Sequence, residues 1–504
     1  MNKPAQPALD TSPPVSDEIR QTTCYMCACR CGINVHMKKG QDVKKQVAYI
    51  EGNRDHPVNE GVLCAKGSAG IMQLNAPSRL RAPLKRCGPR GSGEFEEIGW
   101  DAALDIATGL LAPIRAKAPQ KLAFFTGRDQ SQSFTAYWAQ AFGTPNYAAH
   151  GGFCSVNMAT AGIYTMGGSF WEFGQPDWDH TKLFMIFGVA EDHDSNPIKM
   201  GLSKLKKRGA KIIGVNPIRT GYNAIADEWI GITPGTDGLF ILALVHELFK
   251  AGKVDLDYLA RYTNAPVLLN EDPKSDEFGL FLRDGDGKPL VIDRASGKQV
   301  AFDTPGVRPD LAGHFRRAGI TYRTVFQHMA ERYLRNEYSP DSVTERCGIP
   351  ADTIRRIAAE LAHVAFEQSI ELPIAWTDFR GEKHSSMTGR PVSFHAMRGI
   401  SAHANGFQTC RALHVLQILL GSVEVPGGFR FKPPYPKPAE AHPRPHAKST
   451  PNSALNAPHP CFVPGPDDLL LLDHRIPAPI DQASSWENPI SSHLLLHMLI
   501  SNAH

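Results

Sequence analysis

Alternating helix and strand patterns predict an α/β protein whose parallel sheets are joined by crossover helices, preceded by a small cysteine-rich domain. Three observations predict it. Short apolar runs ending in Gly or Asn-Pro, such as KLFMIFG at 182–188 and AKIIGVNP at 210–217, read as buried strands, and stretches with helical spacing lie between them. Thr23 to Lys66 holds five cysteines in a pattern of its own. Between Pro426 and Pro466 there are 12 prolines, which rule out regular helix or sheet.

The elements follow in order. Residues 1–16 are polar and Pro-rich and read as a flexible tail. After the cysteines, Arg79 to Gly93 reads as a connector. Trp100 to Lys117 carries Leu104, Ala107, Leu110, Leu111 and Ile114 on one helical face, with Asp101 placed to cap it. LAFFTG at 122–127 is a short buried strand. The strand at 182–188 is followed by a helix through Lys199 to Arg208, the strand at 210–217, and a helix from Asp237 to Lys250. Residues 265–320 break this rhythm with hairpin-like Asp-Gly pairs and read as an insertion. Helical pattern resumes at 321–336 and at Asp352 to Glu367, with Asp352 as cap. A strand at 370–376 and a helix at 407–420 complete the patterned region.

The cysteines carry the sharpest chemical signal. Cys24, Cys27 and Cys31 form a C-x2-C-x3-C array, and Cys64 follows 33 residues later. A tight loop reaches three corners of a cubane cluster, and a distant thiol supplies the fourth. Zinc is the rival, since it also takes four thiolates, although its sites usually come as two C-x2-C pairs. Cys29 fits neither count and is a spare thiol. Lys66, two residues after Cys64, would by itself be an ordinary surface lysine.

Two strand ends are candidates for nucleotide binding. Gly188 ends one strand, and Asp194-Ser195-Asn196-Pro197 opens the following helix, whose free N–H groups suit a phosphate. Asn216-Pro217-Ile218-Arg219-Thr220 ends the next strand, where ligands of open α/β sheets gather. Asp237, after Pro234-Gly235-Thr236, could accept two hydrogen bonds from a guanine edge. Turn and cap chemistry accounts for each of these singly.

Cys24, Cys27, Cys31 and Cys64, followed by Ala65-Lys66-Gly67, resemble the amino-terminal domain of molybdopterin oxidoreductases, and the likeness extends over roughly residues 20–430. The resemblance implies a 4Fe-4S cluster and molybdenum (or tungsten) held by bis(molybdopterin guanine dinucleotide). Lys66 would lie between the cluster and one pterin. Gly188, Asn196, Asn216, Arg219 and Asp237 would line one guanine dinucleotide, and Gly399, His403 and Asn405, with Gly406, would lie beside the pterin. Cys154 in HGGFCS (150–155) falls where the family has its protein ligand to the metal, with Ser155 as runner-up and a buried structural cysteine as the bland reading. Formate dehydrogenases typically follow that ligand with His, and here Ser155 follows. His150 resembles the pattern of polysulfide and thiosulfate reductases and of cytoplasmic quinone-linked sulfite dehydrogenases, whose catalytic subunit the chain resembles most.

This implies a small N-terminal iron–sulfur domain (17–86), an α/β domain from 87–148 plus 368–425, and an inserted dinucleotide-binding α/β domain (149–367), both α/β domains Rossmann-like with parallel sheets. Residues 426–504 would be a Pro-rich connector and truncated end, with the family's C-terminal β-barrel domain missing. The implied partners are a small anionic substrate, a ferredoxin-like iron–sulfur subunit, and a quinone-interacting membrane anchor subunit. Sulfite oxidation is the expected activity, with the anion held by Arg128, Arg398 or His403. A formate dehydrogenase, a polysulfide or thiosulfate reductase, or a non-catalytic iron–sulfur electron-transfer protein are the alternatives.

Composition sets the outer bounds. A chain of 504 residues needs more than one core. A net charge of +3 argues against a dedicated nucleic-acid binder, and no apolar run approaches the ~18 residues of a membrane span. Neither a secretory nor a twin-arginine signal is visible, so the expected location is cytoplasmic, at the cytoplasmic face of the membrane through partner proteins.

Overall fold

The computed structural model describes residues 16–27, 29–39, 45–127, 135, 138–139, 141–148, 156–166, 175–189, 196–219, 221–378, 381–396 and 398–430. They fall into two units, one built largely from residues before 150 and the other largely from residues after it.

In the first unit, Glu18–Thr23, Gly32–Lys39 and Lys45–Gly52 form a three-stranded antiparallel sheet in sequence order. Its buried side carries Ile33 and Ile50, packed with Cys24 and Cys31 and backed by Val35, Val47, Leu63 and Ile71. Two short helices follow, Ala65–Ser68 and Gly70–Leu74. Ser16, expected in the loose tail, is tied to His36 by a 2.9 Å hydrogen bond.

The helix Trp100–Lys117 forms with the expected bounds, but its expected apolar face is only partly covered: Leu111 and Ile114 are half-buried, while Leu104 and Leu110 are 58% and 68% exposed. Asp101 does not cap it. Gly99 stands at that position, and Asp101 sits in the first turn, where a carboxylate suits the positive end of the helix dipole. Beyond it, Phe124–Phe125 pairs in parallel with Tyr147–Ala148.

The second unit is organised by a parallel four-stranded sheet in the order Glu228–Ile230, Lys211–Val215, Leu183–Phe187, Val392–Ala396. Leu183–Phe187 is buried at every residue, as a strand covered on both faces should be. The helix Asn196–Lys207 makes the crossover to Lys211–Val215. Phe187, Val215, Phe394 and Ala396 share one core with the helices Asp237–Lys250, Ala351–Ala362 and Gly406–Leu419. Val392–Ala396 was expected in the other α/β domain, with 368–425. Its ladder to Leu183–Phe187 places it in this sheet instead, so the boundary at 367/368 does not separate two sheets.

The insertion is antiparallel, as its turn residues suggested. Leu268–Asn270, Ile320–Thr324 and His314–Arg317 form one small sheet, and Leu290–Ile292 pairs with Gln299–Ala301. The helix expected from 321 starts only at Val325, because the β-branched run Ile320–Thr324 takes a ladder first. Thr324 then caps the helix by accepting from the Gln327 amide at 3.2 Å. At Ala351–Ala362 the residue before the helix is Pro350, not Asp352, which pairs with Arg355 at 2.9 Å in the first turn. Ile354, Ile357, Ala358 and Leu361 are all buried, as their spacing implied.

Candidate functional site

Two sites take shape, one in each unit. In the first, Cys24 follows the first strand, Cys31 precedes the second, and the Cys24 amide donates to the Cys31 carbonyl at 2.8 Å. That bond closes the loop holding Cys27 and Cys29. Cys64 stands immediately before the helix Ala65–Ser68 with extended backbone. Cys24, Cys31 and Cys64 are buried, Cys27 and Cys29 half-buried, and none of the five is in a disulfide. Lys66 is half-buried in the short helix after Cys64.

A residue that sequence reasoning missed brings the distant cysteine to the loop. Asn59 is fully buried. Its Oδ1 accepts from the Gly32 amide at 2.8 Å, and its Nδ2 donates to the Gly32 carbonyl at 3.1 Å and to the Val62 carbonyl at 2.9 Å. One side chain therefore pins the segment before Cys64 to the residue after Cys31. Gly32 has to be glycine, since a Cβ there would lie 2.3 Å from the His56 ring. Because every partner of Asn59 is backbone, no residue pairing in the sequence could have signalled it.

The donor set suits an iron–sulfur cluster: three thiols in one tight loop and a fourth from the segment tied in by Asn59 can each take a different iron of a cubane.

The second site is the carboxyl edge of the parallel sheet. Gly188 follows Leu183–Phe187 with φ +61°, and its amide donates to the Val215 carbonyl at 3.0 Å. Gly399 packs on it so closely that a Cβ on Gly399 would lie 2.2 Å from the Gly188 carbonyl oxygen. Asn216 follows Lys211–Val215. It is buried, its carbonyl accepts from Trp229 Nε1 at 2.9 Å, and its Nδ2 has no hydrogen-bond partner. Asp237 opens its helix and is 6% exposed.

Burial pushes the Asp237 carboxyl up from the usual range, while its own amide and His403 nearby pull the other way. Burial, with the Asp237 charge added, pushes the Cys410 thiol up to about 12, so it stays neutral. Asn405 Nδ2 donates to the Gly235 carbonyl at 3.0 Å, tying the loop after Val392–Ala396 to the loop before Asp237. Asn157, also missed, reaches the same loop through the Ser401 carbonyl at 2.8 Å.

The edge thus gathers Gly188, Asn216, Asp237, Gly399, His403 and Asn405. Arg219 follows the same strand end and is exposed. Arg398 opens the short helix Arg398–Ser401 and is exposed too. Asn196 is the first residue of the crossover helix. His150, Cys154, Ser155, Arg128, Asp194 and Ser195 lie outside the described residues. A buried amide donor without an acceptor and a buried carboxyl that no side-chain donor reaches are complementary to a base edge, which offers both kinds of group.

Residues 79–457 match the family model described as molybdopterin oxidoreductase, and residues 17–76 match that of the molybdopterin oxidoreductase Fe4S4 domain. The chain belongs to the molybdopterin oxidoreductase family. It is 49% identical over 502 residues to a sulfite dehydrogenase subunit of Allochromatium vinosum, covering 96% of this chain and 51% of that protein. It is 31% identical over 250 residues to the thiosulfate reductase molybdopterin-containing subunit of Salmonella typhimurium, covering 48% and 31%. Formate dehydrogenase-O major subunit of Escherichia coli matches at 25% over 433 residues, covering 81% and 39%. The chain spans about a third to a half of the length of these relatives. Acetylene hydratase from Pelobacter acetylenicus shares the fold at TM-score 0.53 and 20% identity, over 80% of this chain and 43% of that one. Among the described residues no helix is long and apolar enough to cross a membrane.

Proposed function

We propose that the protein is the catalytic polypeptide of a molybdenum oxidoreductase that oxidises sulfite to sulfate. The observation that carries this is 49% identity over 96% of the chain to a sulfite dehydrogenase subunit. The conversion takes sulfite and water to sulfate, two protons and two electrons. Bound bis(molybdopterin guanine dinucleotide) with molybdenum or tungsten would supply the oxygen-transfer and two-electron chemistry.

The chain's residues divide the remaining work. Asp237 would accept from the guanine edge, and Asn216 would donate the buried N–H that lacks an acceptor. The close Gly188–Gly399 contact, which admits no side chain, would let backbone lie beside the cofactor. Cys154 would be the protein ligand to the metal, with His150 beside it, and Arg398 or His403 would hold the anion. Cys24, Cys27, Cys31 and Cys64 would hold a 4Fe-4S cluster that takes electrons singly, with Lys66 on the path to it. The electrons would pass to a ferredoxin-like protein and then, at the cytoplasmic face, to a quinone-reducing membrane subunit.

The test is sulfite-dependent reduction of an artificial acceptor by the full-length protein, with iron and molybdenum measured per chain. Cys154→Ala is expected to abolish turnover and leave iron unchanged. Turnover with formate and not sulfite would overturn the substrate. Iron with neither molybdenum nor tungsten would overturn the enzyme reading in favour of a non-catalytic electron-transfer protein.

A further inference from the structure

Arg30 lies inside the cysteine loop, between the spare thiol Cys29 and the ligand Cys31. Its backbone takes φ +50°, a left-handed conformation that a residue with a side chain adopts only where its surroundings impose it. The guanidinium lies over the Tyr25 ring at 4.3 Å. Tyr25 covers it but offers only a π face, not an acceptor for in-plane N–H groups. Nε and Nη1 are buried and have no hydrogen-bond partner. Guanidinium does not deprotonate in proteins, so this is a fixed positive charge with two shielded donors waiting for acceptors.

Four thiolates and their cluster would bring the missing negative charge to this loop. The potential of such a cluster depends on its net charge and on hydrogen bonds to its sulfurs. We propose that Arg30 is a positioning residue for electron transfer, a charge-compensating donor that stabilises the reduced cluster and raises its potential. The inference rests on the cluster reading of Cys24, Cys27, Cys31 and Cys64. Oxidised cluster plus one electron gives reduced cluster, with no proton required. Each added electron makes the cluster more negative, so a fixed cation favours the reduced form.

The test compares full-length wild type, Arg30→Gln and Arg30→Lys, purified without oxygen, by iron content and by the midpoint potential of the cluster's EPR signal. The expected result is full iron in all three. The potential should move negative in Arg30→Gln and less so in Arg30→Lys, which keeps the charge but loses the planar fork. Loss of iron from the Gln variant alone would also support charge compensation. An unmoved or more positive potential in Arg30→Gln at full iron would overturn the inference and leave the cluster standing. Loss of iron from both variants would make Arg30 a prop for the loop. A wild type without a cluster signal would overturn the cluster reading, and this inference with it.

Discussion

The cysteine loop and the sheet edge, the two places proposed to hold large groups, are built by opposite means. The loop is local: three of the four thiols expected to hold a cluster lie within Cys24–Cys31, and one hydrogen bond from Cys24 to Cys31 closes it. Only Cys64 comes from afar, and Asn59 ties its segment in. The sheet edge is assembled from strand ends spread from Gly188 to Asn405, none of them meaningful without the order of the strands. Its chemistry is also unlike the loop's. Soft thiols dominate one, while the other offers backbone, a buried amide and a single carboxyl. Local spacing makes a site that survives small errors elsewhere. Topology makes a site that depends on the whole sheet.

If that contrast holds, the loop should fail at single ligands and at its tether. Cys64→Ser is expected to have the largest effect, taking the protein from about four irons per chain to an altered or empty site. Metal analysis and EPR check it, and stoichiometric zinc with no iron in the wild type would refute the assignment. Asn59→Ala should come next. It leaves the buried Gly32 amide without its acceptor, while the Gly32 carbonyl keeps the Asn53 N–H at 2.9 Å, a loss of about 1–3 kcal/mol to the first unit. Faster hydrogen exchange at Gly32 and easier loss of iron would report it. Asn59→Asp keeps the acceptor for Gly32 N–H and should fall between. Unchanged exchange and iron in Asn59→Ala would mean that the loop does not need its tether.

The same contrast explains what could be read in advance. The thiol array needs only spacing, so the sequence alone singled out its residues. Asp237–Lys250 was legible to the residue because an acidic first turn and an apolar face start and sustain it. Trp100–Lys117 was legible as a helix, yet its periodicity said nothing about what would cover Leu104 and Leu110. Asp101 and Asp352 misled because an acid near a helix start suits the first turn as well as the cap. Val392–Ala396 fell on the other side of the expected 367/368 boundary from its partner Leu183–Phe187, which lies far away in the chain, and such pairings leave no local trace. The residues expected at the nucleotide were picked out together by family likeness, and the parallel order of the strands is the physical reason that Gly188 and Asn216 stand at one edge.

The smallest effect expected is also the most specific to the sheet edge. Asp237 is buried, no side-chain donor reaches it, and its pKa is raised chiefly by desolvation. A carboxyl raised on folding is held best while protonated. Its favourable contribution is present below the unfolded pKa, near 3.8, and is lost as pH rises through the higher folded value. Above that value the carboxylate is a buried charge with its own amide and His403 to offset it. Asp237→Asn removes that charge at nearly constant shape. It should stabilise the ligand-free protein at pH 7 by about 0.5–2 kcal/mol, as relief of a functional site's strain commonly does. The gain should shrink toward acid, where the wild-type carboxyl is protonated too. Binding of a guanine nucleotide should weaken in the same variant, because an amide cannot accept both hydrogen bonds from the guanine edge. Urea unfolding from pH 4 to 8, with and without GMP as probe, measures both effects. A variant less stable than wild type at pH 7, with nucleotide binding unchanged, would show Asp237 to be serving its helix, and the edge would lose its carboxylate acceptor for guanine.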